Sequence, residues 1–102
     1  MNAELESRPA AYVLRAAGAT EYLYKGSTRD MAARWSDHQA GRVARTRNRR
    51  PLTLVLVEYF DSFTDARRRE LFLKTGVGRA WLKARVAKWQ TQGTSCPGQV
   101  RL

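Results

Sequence analysis

Apolar positions along the chain fall into short runs separated by polar, glycine-bearing stretches. Residues 10–15 (Ala-Ala-Tyr-Val-Leu-Arg) form one such run, and residues 21–26, with Tyr22, Leu23 and Tyr24, form another. The stretch 16–20 between them carries Gly18, so the two runs read as a β-hairpin. Residues 52–60 (Leu-Thr-Leu-Val-Leu-Val-Glu-Tyr-Phe) are almost continuously apolar, which predicts a strand buried on both faces and central in its sheet. Three segments show helical spacing instead. The first opens at Ser27, where Ser27 and Asp30 match a capping box, keeps Met31 and Trp35 on one side, and ends at Gly41. The second opens on Ser62 and Asp65 by the same pattern and runs to about Thr75, with Gly76 and Gly78 as punctuation. The third covers about 79–90, with Trp81, Leu82, Val86 and Trp89 apolar. The resulting order is β-β-α-β-α-α. It predicts an α+β domain: a small, three-stranded, mostly antiparallel sheet flanked by helices.

The length of 102 residues fits a single domain. Residues 1–9 read as a flexible N-terminus, 10–90 as the folded domain and 91–102 as a polar tail. No internal repeat is visible.

Charge changes the picture. Lys and Arg number 19 against 9 Asp and Glu, giving a formal net charge of +10 and a pI of about 10.9. An excess of that size on a small domain is self-repulsive without an anionic partner, and nucleic acid is the partner that such a footprint fits. An anionic membrane is disfavoured, because no long apolar run exists and the basic helices also carry core residues. The densest basic stretch is residues 41–51 (Gly-Arg-Val-Ala-Arg-Thr-Arg-Asn-Arg-Arg-Pro), with five arginines, no acid and more length than a usual connection. The lone Cys96 and lone His38 exclude both an internal disulfide and a Cys/His zinc cluster. The expected setting is cytoplasmic, and the expected state a monomer.

Acids are scarce, and no Asp-x-Asp pattern supports a two-metal site; one metal held by one carboxylate and water is permitted. Glu70 stands out, set among Arg67, Arg68, Arg69 and Lys74. It reads either as a surface carboxylate paired i,i+4 with Lys74 or as a metal ligand in a positive field. Arg34 and His38 share one helical face, and an Arg beside an imidazole suits a phosphate. Asp30 could equally pair with Arg34. The hairpin tyrosines Tyr12, Tyr22 and Tyr24 are, by themselves, ordinary packing residues.

In order and spacing together, these residues resemble the GIY-YIG nuclease domain, especially its small stand-alone bacterial members and the N-terminal domain of excision-repair endonucleases. Ala10-Ala11-Tyr12 stands at the first signature tripeptide and Tyr24-Lys25-Gly26 at the second. Arg34 matches the family's helical Arg, and His38 the histidine four residues later in the stand-alone branch. Gly41-Arg42 and Asn48-Arg49-Arg50-Pro51 match the two ends of that branch's basic loop. Glu70 matches the metal-ligand Glu, and Lys74-Thr75-Gly76-Val77-Gly78-Arg79 echoes the segment after it. The match spans about residues 10–84. Alanines replace the Gly and Ile of the first tripeptide, Lys25 replaces the apolar middle of the second, and the late Asn of some members has no counterpart.

The resemblance implies hydrolysis of phosphodiesters, in DNA rather than RNA, with one Mg2+ or Mn2+ ion on Glu70. It implies that Arg34 stabilises phosphoryl charge, that Tyr12 accepts a proton from the attacking water through a lowered phenol pKa, and that Tyr24 and His38 assist. Gly26 would let the backbone approach the phosphate. Lys25, Arg42, Arg45, Arg47, Arg49, Arg50, Arg67, Arg68 and Lys74 would hold nucleic-acid phosphates. The alternative is a non-catalytic nucleic-acid-binding module on the same fold, which has no need of Tyr12, Tyr24, Arg34 and Glu70 together; a basic ribosome-associated protein would leave Glu70 idle.

Overall fold

The computed structural model describes residues 5–16 and 22–92, the last six of these as backbone only. Three strands and three helices follow one another along it: β1 (Ala10–Ala16), β2 (Leu23–Thr28), α1 (Met31–Ala40), β3 (Leu52–Tyr59), α2 (Phe63–Leu73) and α3 (Gly76–Gln92), with a 3-10 turn at Arg47–Arg49. The strand order is β2-β1-β3, and both pairings are antiparallel. This is the expected α+β architecture. The polar tail and Cys96 fall beyond the described residues, as does the loop carrying Gly18.

The sheet has helices on both faces. Ala10, Tyr12 and Leu14 of β1 pack with Leu54, Val57 and Met31 in one cluster, to which Trp35 of α1 is added. Val13 packs on the other face with Val55, Leu56, Leu73, Leu82 and Val86 of β3, α2 and α3. Burial on both faces explains why β3 reads as continuously apolar. It also corrects the expectation that β3 is central, because β1 holds that place and β3 is an edge. Periodicity reports how many faces a strand buries, not whether both edges are paired. A register shift between Val13 and Leu14 skips Val55, so that Val55 and Leu56 both join the second cluster.

Three local readings need correction. Ser27 is not the cap of α1: β2 pairs with β1 as far as Thr28, opposite Ala10, which keeps Ser27 in the strand. The cap is Asp30, whose carboxylate accepts from the Ala33 N–H, an arrangement that contributes about 1 kcal/mol. Residues 5–9 do not fray. Leu5 packs on the first cluster, and the carbonyls of Glu6 and Arg8 accept from Ala32 and Met31, supplying partners for orphan N–H groups of α1. Gly76 and Gly78 do not separate the last two helices but form the first turn of α3. The other terminal signals stand. Gly41 ends α1 with φ 82°, and the Ser62 hydroxyl accepts from the Asp65 N–H at the start of α2.

One ion pair lies inside the fold. Glu58 of β3 is fully buried, and Arg69 of α2 grips it with two hydrogen bonds, 2.7 Å from Nε and 3.2 Å from Nη2. The Arg69 guanidinium also lies against the rings of Phe72 and Trp81, at 4.9 and 4.8 Å. Removing Arg69 would leave Glu58 as an unpaired buried charge, a loss of roughly 3–5 kcal/mol. The pair fixes α2 to the sheet.

The α2–α3 corner depends on Gly78. A Cβ there would lie 2.0 Å from the Phe72 carbonyl oxygen and 2.8 Å from Leu73 Cα, both backbone atoms that cannot swing aside. A Cβ at Gly76 meets nothing within 4 Å. Gly78→Ala is therefore expected to destabilise the protein by about 2 kcal/mol or more. Gly76→Ala should stay within about 1 kcal/mol of wild type. Urea denaturation of both variants checks this, and equal midpoints would contradict the corner.

Candidate active site

The two signature segments lie side by side in the sheet, with Tyr12 of β1 opposite Gly26 of β2 and Leu14 opposite Tyr24. Side chains alternate across a strand, so Tyr12, Tyr24 and Gly26 share the α1 face. Lys25 and Ser27 point to the α2 face. The site is thus built in two halves, one on each side of edge strand β2.

On the α1 face, Tyr12 is fully buried and its hydroxyl lies 2.8 Å from His38 Nε2. Arg34, one helical turn before His38, donates from Nε to the same oxygen at 3.4 Å. His38 Nδ1 is 2.8 Å from the hydroxyl of Thr46, also fully buried. Arg34 can only donate, so the Tyr12 oxygen accepts from it, and the phenolic hydrogen is free to point to His38 Nε2. In that tautomer His38 is protonated on Nδ1, which donates to Thr46. Tyr24 completes the group, its ring 5.3 Å from His38 and 6.2 Å from Tyr12. Asp30 is engaged as the helix cap, and Arg34 turns to Tyr12.

Burial sets the protonation states here. Desolvation pushes the Tyr12 phenol above its usual range, only partly offset by the Arg34 hydrogen bond. This runs against the expectation of a lowered phenol. The apolar surroundings that pack the ring also penalise a phenolate. Desolvation, reinforced by the Arg34 charge, pushes His38 down to about 4. His38 is neutral at pH 7, and its Nδ1–H tautomer presents a lone pair to the Tyr12 hydroxyl.

Gly26 has a packing role beside the one expected. A Cβ at that position would lie 2.7 Å from both Cζ and Oη of Tyr12. The missing side chain makes room for the phenol itself.

On the α2 face, Glu70 is buried at 6% relative exposure. The Ser27 hydroxyl donates to its Oε1 at 2.5 Å, Arg67 approaches the same oxygen at 3.1 Å, and Lys74 Nζ donates to Oε2 at 2.6 Å. Burial alone would raise this carboxyl. Its hydrogen bonds from Lys74, Ser27 and Arg67 outweigh that and hold it below the ordinary range. The i,i+4 pair with Lys74 is therefore formed, and Glu70 is ionised. Among the described residues no group of three or more His, Cys, Asp or Glu gathers as a metal cage. The donor set is one carboxylate beside one hydroxyl. That hard-oxygen set fits a single Mg2+ or Mn2+ that keeps its other positions for water and phosphate. The two cations on Glu70 are half-exposed side chains that can move away.

A cleft of about 410 Å³ runs between the two halves, lined by Tyr22, Leu23, Tyr24, Lys25, Arg45, Arg49 and Lys74. Burial, and then the charges of Arg79 and Lys74, lower the Lys25 pKa. The Arg49 guanidinium lies over the Tyr22 ring, 4.0 Å from its centroid. The loop 41–51 is anchored rather than loose, through buried Val43 and Thr46. Two of its arginines hold it in place: Arg42 pairs with Asp37 at 2.8 Å, and Arg50 donates to the carbonyls of Arg47 and Gln39. Arg45 and Arg47 are exposed. Arg68 is engaged with Asp65 on the surface.

Residues 10–83 match the family model described as the GIY-YIG catalytic domain. The chain belongs to the GIY-YIG nuclease superfamily, whose domains cleave nucleic acid and generally use divalent metal ions. It is similar to curated relatives that carry the name UPF0213 protein. The one from Staphylococcus haemolyticus is 46% identical over 54 residues, covering 52% of this chain and 66% of that protein. The one from Halobacterium salinarum is 42% identical over 64 residues, covering 62% and 80%. One from Streptococcus pyogenes serotype M5 is 38% identical over 82 residues, covering 79% and 87%. No solved structure matches the chain. No helix among the described residues is long and apolar enough to cross a membrane.

His38 gives this half of the site a pH signature. The imidazole is at about 4 in the folded protein and 6.5 in its ordinary state. The unfolded chain therefore takes up a proton that the folded protein refuses. Stability is fully present above pH 6.5 and falls as the pH drops toward 4. His38→Gln removes this contribution, so its loss of stability over that window should be smaller than that of wild type. Urea midpoints from pH 7 to pH 4 test it, and parallel curves would contradict a neutral, buried His38.

Proposed function

We propose that this protein is a metal-dependent endonuclease that hydrolyses phosphodiester bonds in DNA, with one Mg2+ or Mn2+ held by Glu70. The observation that carries the reading is the buried chain from Arg34 through Tyr12 and His38 to Thr46. A binding surface gains nothing from a fully buried tyrosine whose hydroxyl is aligned on a neutral imidazole. A proton-transfer site makes use of such a pair.

The geometry supports the following roles. Tyr12 is not a standing phenolate. Its hydroxyl takes the proton of the attacking water as its own hydrogen passes to His38 Nε2, so no free phenolate forms at any stage. Thr46 holds His38 in the receiving tautomer. Arg34 carries a fixed positive charge at the same oxygen and stabilises negative charge on the phosphoryl group. Tyr24 packs the pair from its open side. The cation, when bound, stabilises the leaving oxygen. Lys25, Arg45, Arg47, Arg49, Arg67 and Lys74 hold phosphates of the strand, with the outer arginines Arg42, Arg50 and Arg68 at its edge.

The Lys74–Glu70 pair favours a second reading, a nucleic-acid-binding module that keeps the fold, because it occupies the carboxylate that catalysis would need. Glu70→Gln separates the two. The amide keeps the shape but is a poor anchor for Mg2+, so cleavage should fall by several orders of magnitude while affinity stays equal or rises slightly. Tyr12→Phe and Gly26→Ala should lose cleavage too, the second because it displaces the phenol. Rates of hydrolysis of labelled single-stranded, duplex and branched DNA, with and without Mg2+ or Mn2+, decide the matter. Equal rates for wild type and Glu70→Gln would remove the one-metal reading, and no cleavage by wild type on any substrate would leave the binding module.

Binding itself should be strongly salt-dependent. Each phosphate contacted contributes roughly 0.7–0.9 to the slope of log affinity against log salt. Replacing Arg45, Arg47 and Arg49 together with Ala should lower that slope by about 2. An unchanged slope would take the loop out of the interface.

A further inference from the structure

Lys74 belongs to two places at once. Its Nζ closes Oε2 of Glu70 at 2.6 Å, and its side chain lines the cleft beside Lys25, Arg45 and Arg49. Oε1 is already engaged by Ser27 and Arg67. Both oxygens of the carboxylate are therefore occupied, one of them by a cation that also faces the substrate cleft. Lys74 is 48% exposed, so its four-carbon stem is free to turn, while Glu70 at 7% is held by the fold. The cleft concentrates positive charge, and no carboxylate lines it.

We infer that Lys74 is a placeholder for the divalent ion, exchanged by the substrate. Resting on the one-metal reading above, the proposal is that a nucleic-acid phosphate entering the cleft draws Lys74 off Glu70 and opens Oε2 to the cation. The cleft is then a phosphate subsite distinct from the reacting phosphate, and Lys25, Arg45 and Arg49 are its other cations. Without substrate, a monovalent ammonium neutralises the buried carboxylate and repels a divalent ion from it. With substrate, the ammonium pairs with phosphate, and the ion meets a free oxygen. Metal and nucleic acid therefore bind cooperatively, and by linkage each raises the affinity for the other by the same factor. The device keeps the ion off the enzyme until a strand is in place.

The test is Mn2+ binding, followed by isothermal titration calorimetry in a Tyr12→Phe background that does not consume the probe, with and without a deoxythymidine hexamer. Lys74→Met keeps the length and removes the charge. It is expected to bind Mn2+ at least fivefold more tightly than the Lys74 protein when no hexamer is present. The hexamer should tighten Mn2+ binding at least fivefold in the Lys74 protein and less than twofold in Lys74→Met, a range typical of coupled sites. Arg45→Met, which removes a cleft cation away from Glu70, should leave Mn2+ affinity without the hexamer unchanged and weaken hexamer binding. Equal or weaker Mn2+ binding by Lys74→Met would overturn the exchange, as would undiminished tightening by the hexamer in that variant. Mn2+ binding that persists unchanged in Glu70→Gln would instead overturn the metal site itself.

Discussion

Strand β1 has no solvent face, and that constraint orders the rest of the molecule. Ala10, Ala11, Tyr12, Val13 and Leu14 are all at 0% exposure, with a strand on each side and helices above and below. A polar group placed on such a strand must find its partner inside. Tyr12 is the one residue of β1 with a buried side-chain hydroxyl, and α1 answers it with Arg34 and His38. His38 in turn needs a second partner, and the loop after α1 folds inward so that Thr46 supplies it. The basic loop is therefore held by the same hydrogen-bond chain that satisfies the buried phenol. Gly26 follows from this as well, since only a residue without Cβ leaves the neighbouring strand clear of the ring.

Strand β2 separates two electrostatic regimes. On its α1 face the chain Arg34–Tyr12–His38–Thr46 includes a single charged group, and desolvation keeps the phenol and the imidazole neutral. On its α2 face every group around Glu70 except Ser27 is charged. Two consecutive residues join these regimes: Gly26 touches Tyr12, and Ser27 holds Glu70. A proton relay works best where neither partner is solvated or fixed as an ion. A metal site needs an ionised carboxylate. The alternation of a strand would allow both, as proposed above, within one residue of each other. An edge strand is the place for it, because its free side leaves the cleft open to a substrate.

Much of this was legible in the sequence, and the limits have physical causes. Met31, Trp35, Leu82 and Val86 were readable as core from helical spacing, and Gly41 as a helix end, because each is a local signal. The association of Tyr12 with Arg34 and His38 was expected only from the family pattern, since strand and helix meet there across 22 and 26 residues. Ser27 was misread because a Ser three residues before an Asp is a good cap pattern locally, whereas strand pairing with Ala10 is a long-range effect that overrides it. The signal that could have found it was its place directly after Tyr24-Lys25-Gly26. Thr46 looked like filler between arginines, and nothing short of the fold marks it. Glu58 was hidden for the opposite reason: in an apolar run one acid looks like the exposed position of a strand, yet Arg69 makes it a core residue. The edge position of β3 could not be read from β3 itself, because strand order depends on the partners.

The net charge of +10 is also not a count of binding groups. Arg69 is consumed by the core and Arg50 by backbone carbonyls, while Arg42, Arg67 and Arg68 face acids of the protein. Subtracting these leaves a smaller set, part of which gathers in one place. Lys25, Arg45, Arg49 and Lys74 converge on one cleft, with Arg47 beside them on the loop. Their mutual repulsion is a standing cost of the free protein. Burial first, and then the charges of Arg79 and Lys74, lower the Lys25 pKa. A phosphate entering the cleft relieves that repulsion. Glu70 partly relieves it in the substrate-free protein by holding Lys74. On the proposed one-metal reading, the same carboxylate serves the cleft before binding and the cation after it, and no second acid is needed nearby. That reading accounts for how a chain so poor in acids could carry a site that requires one in its ionised form.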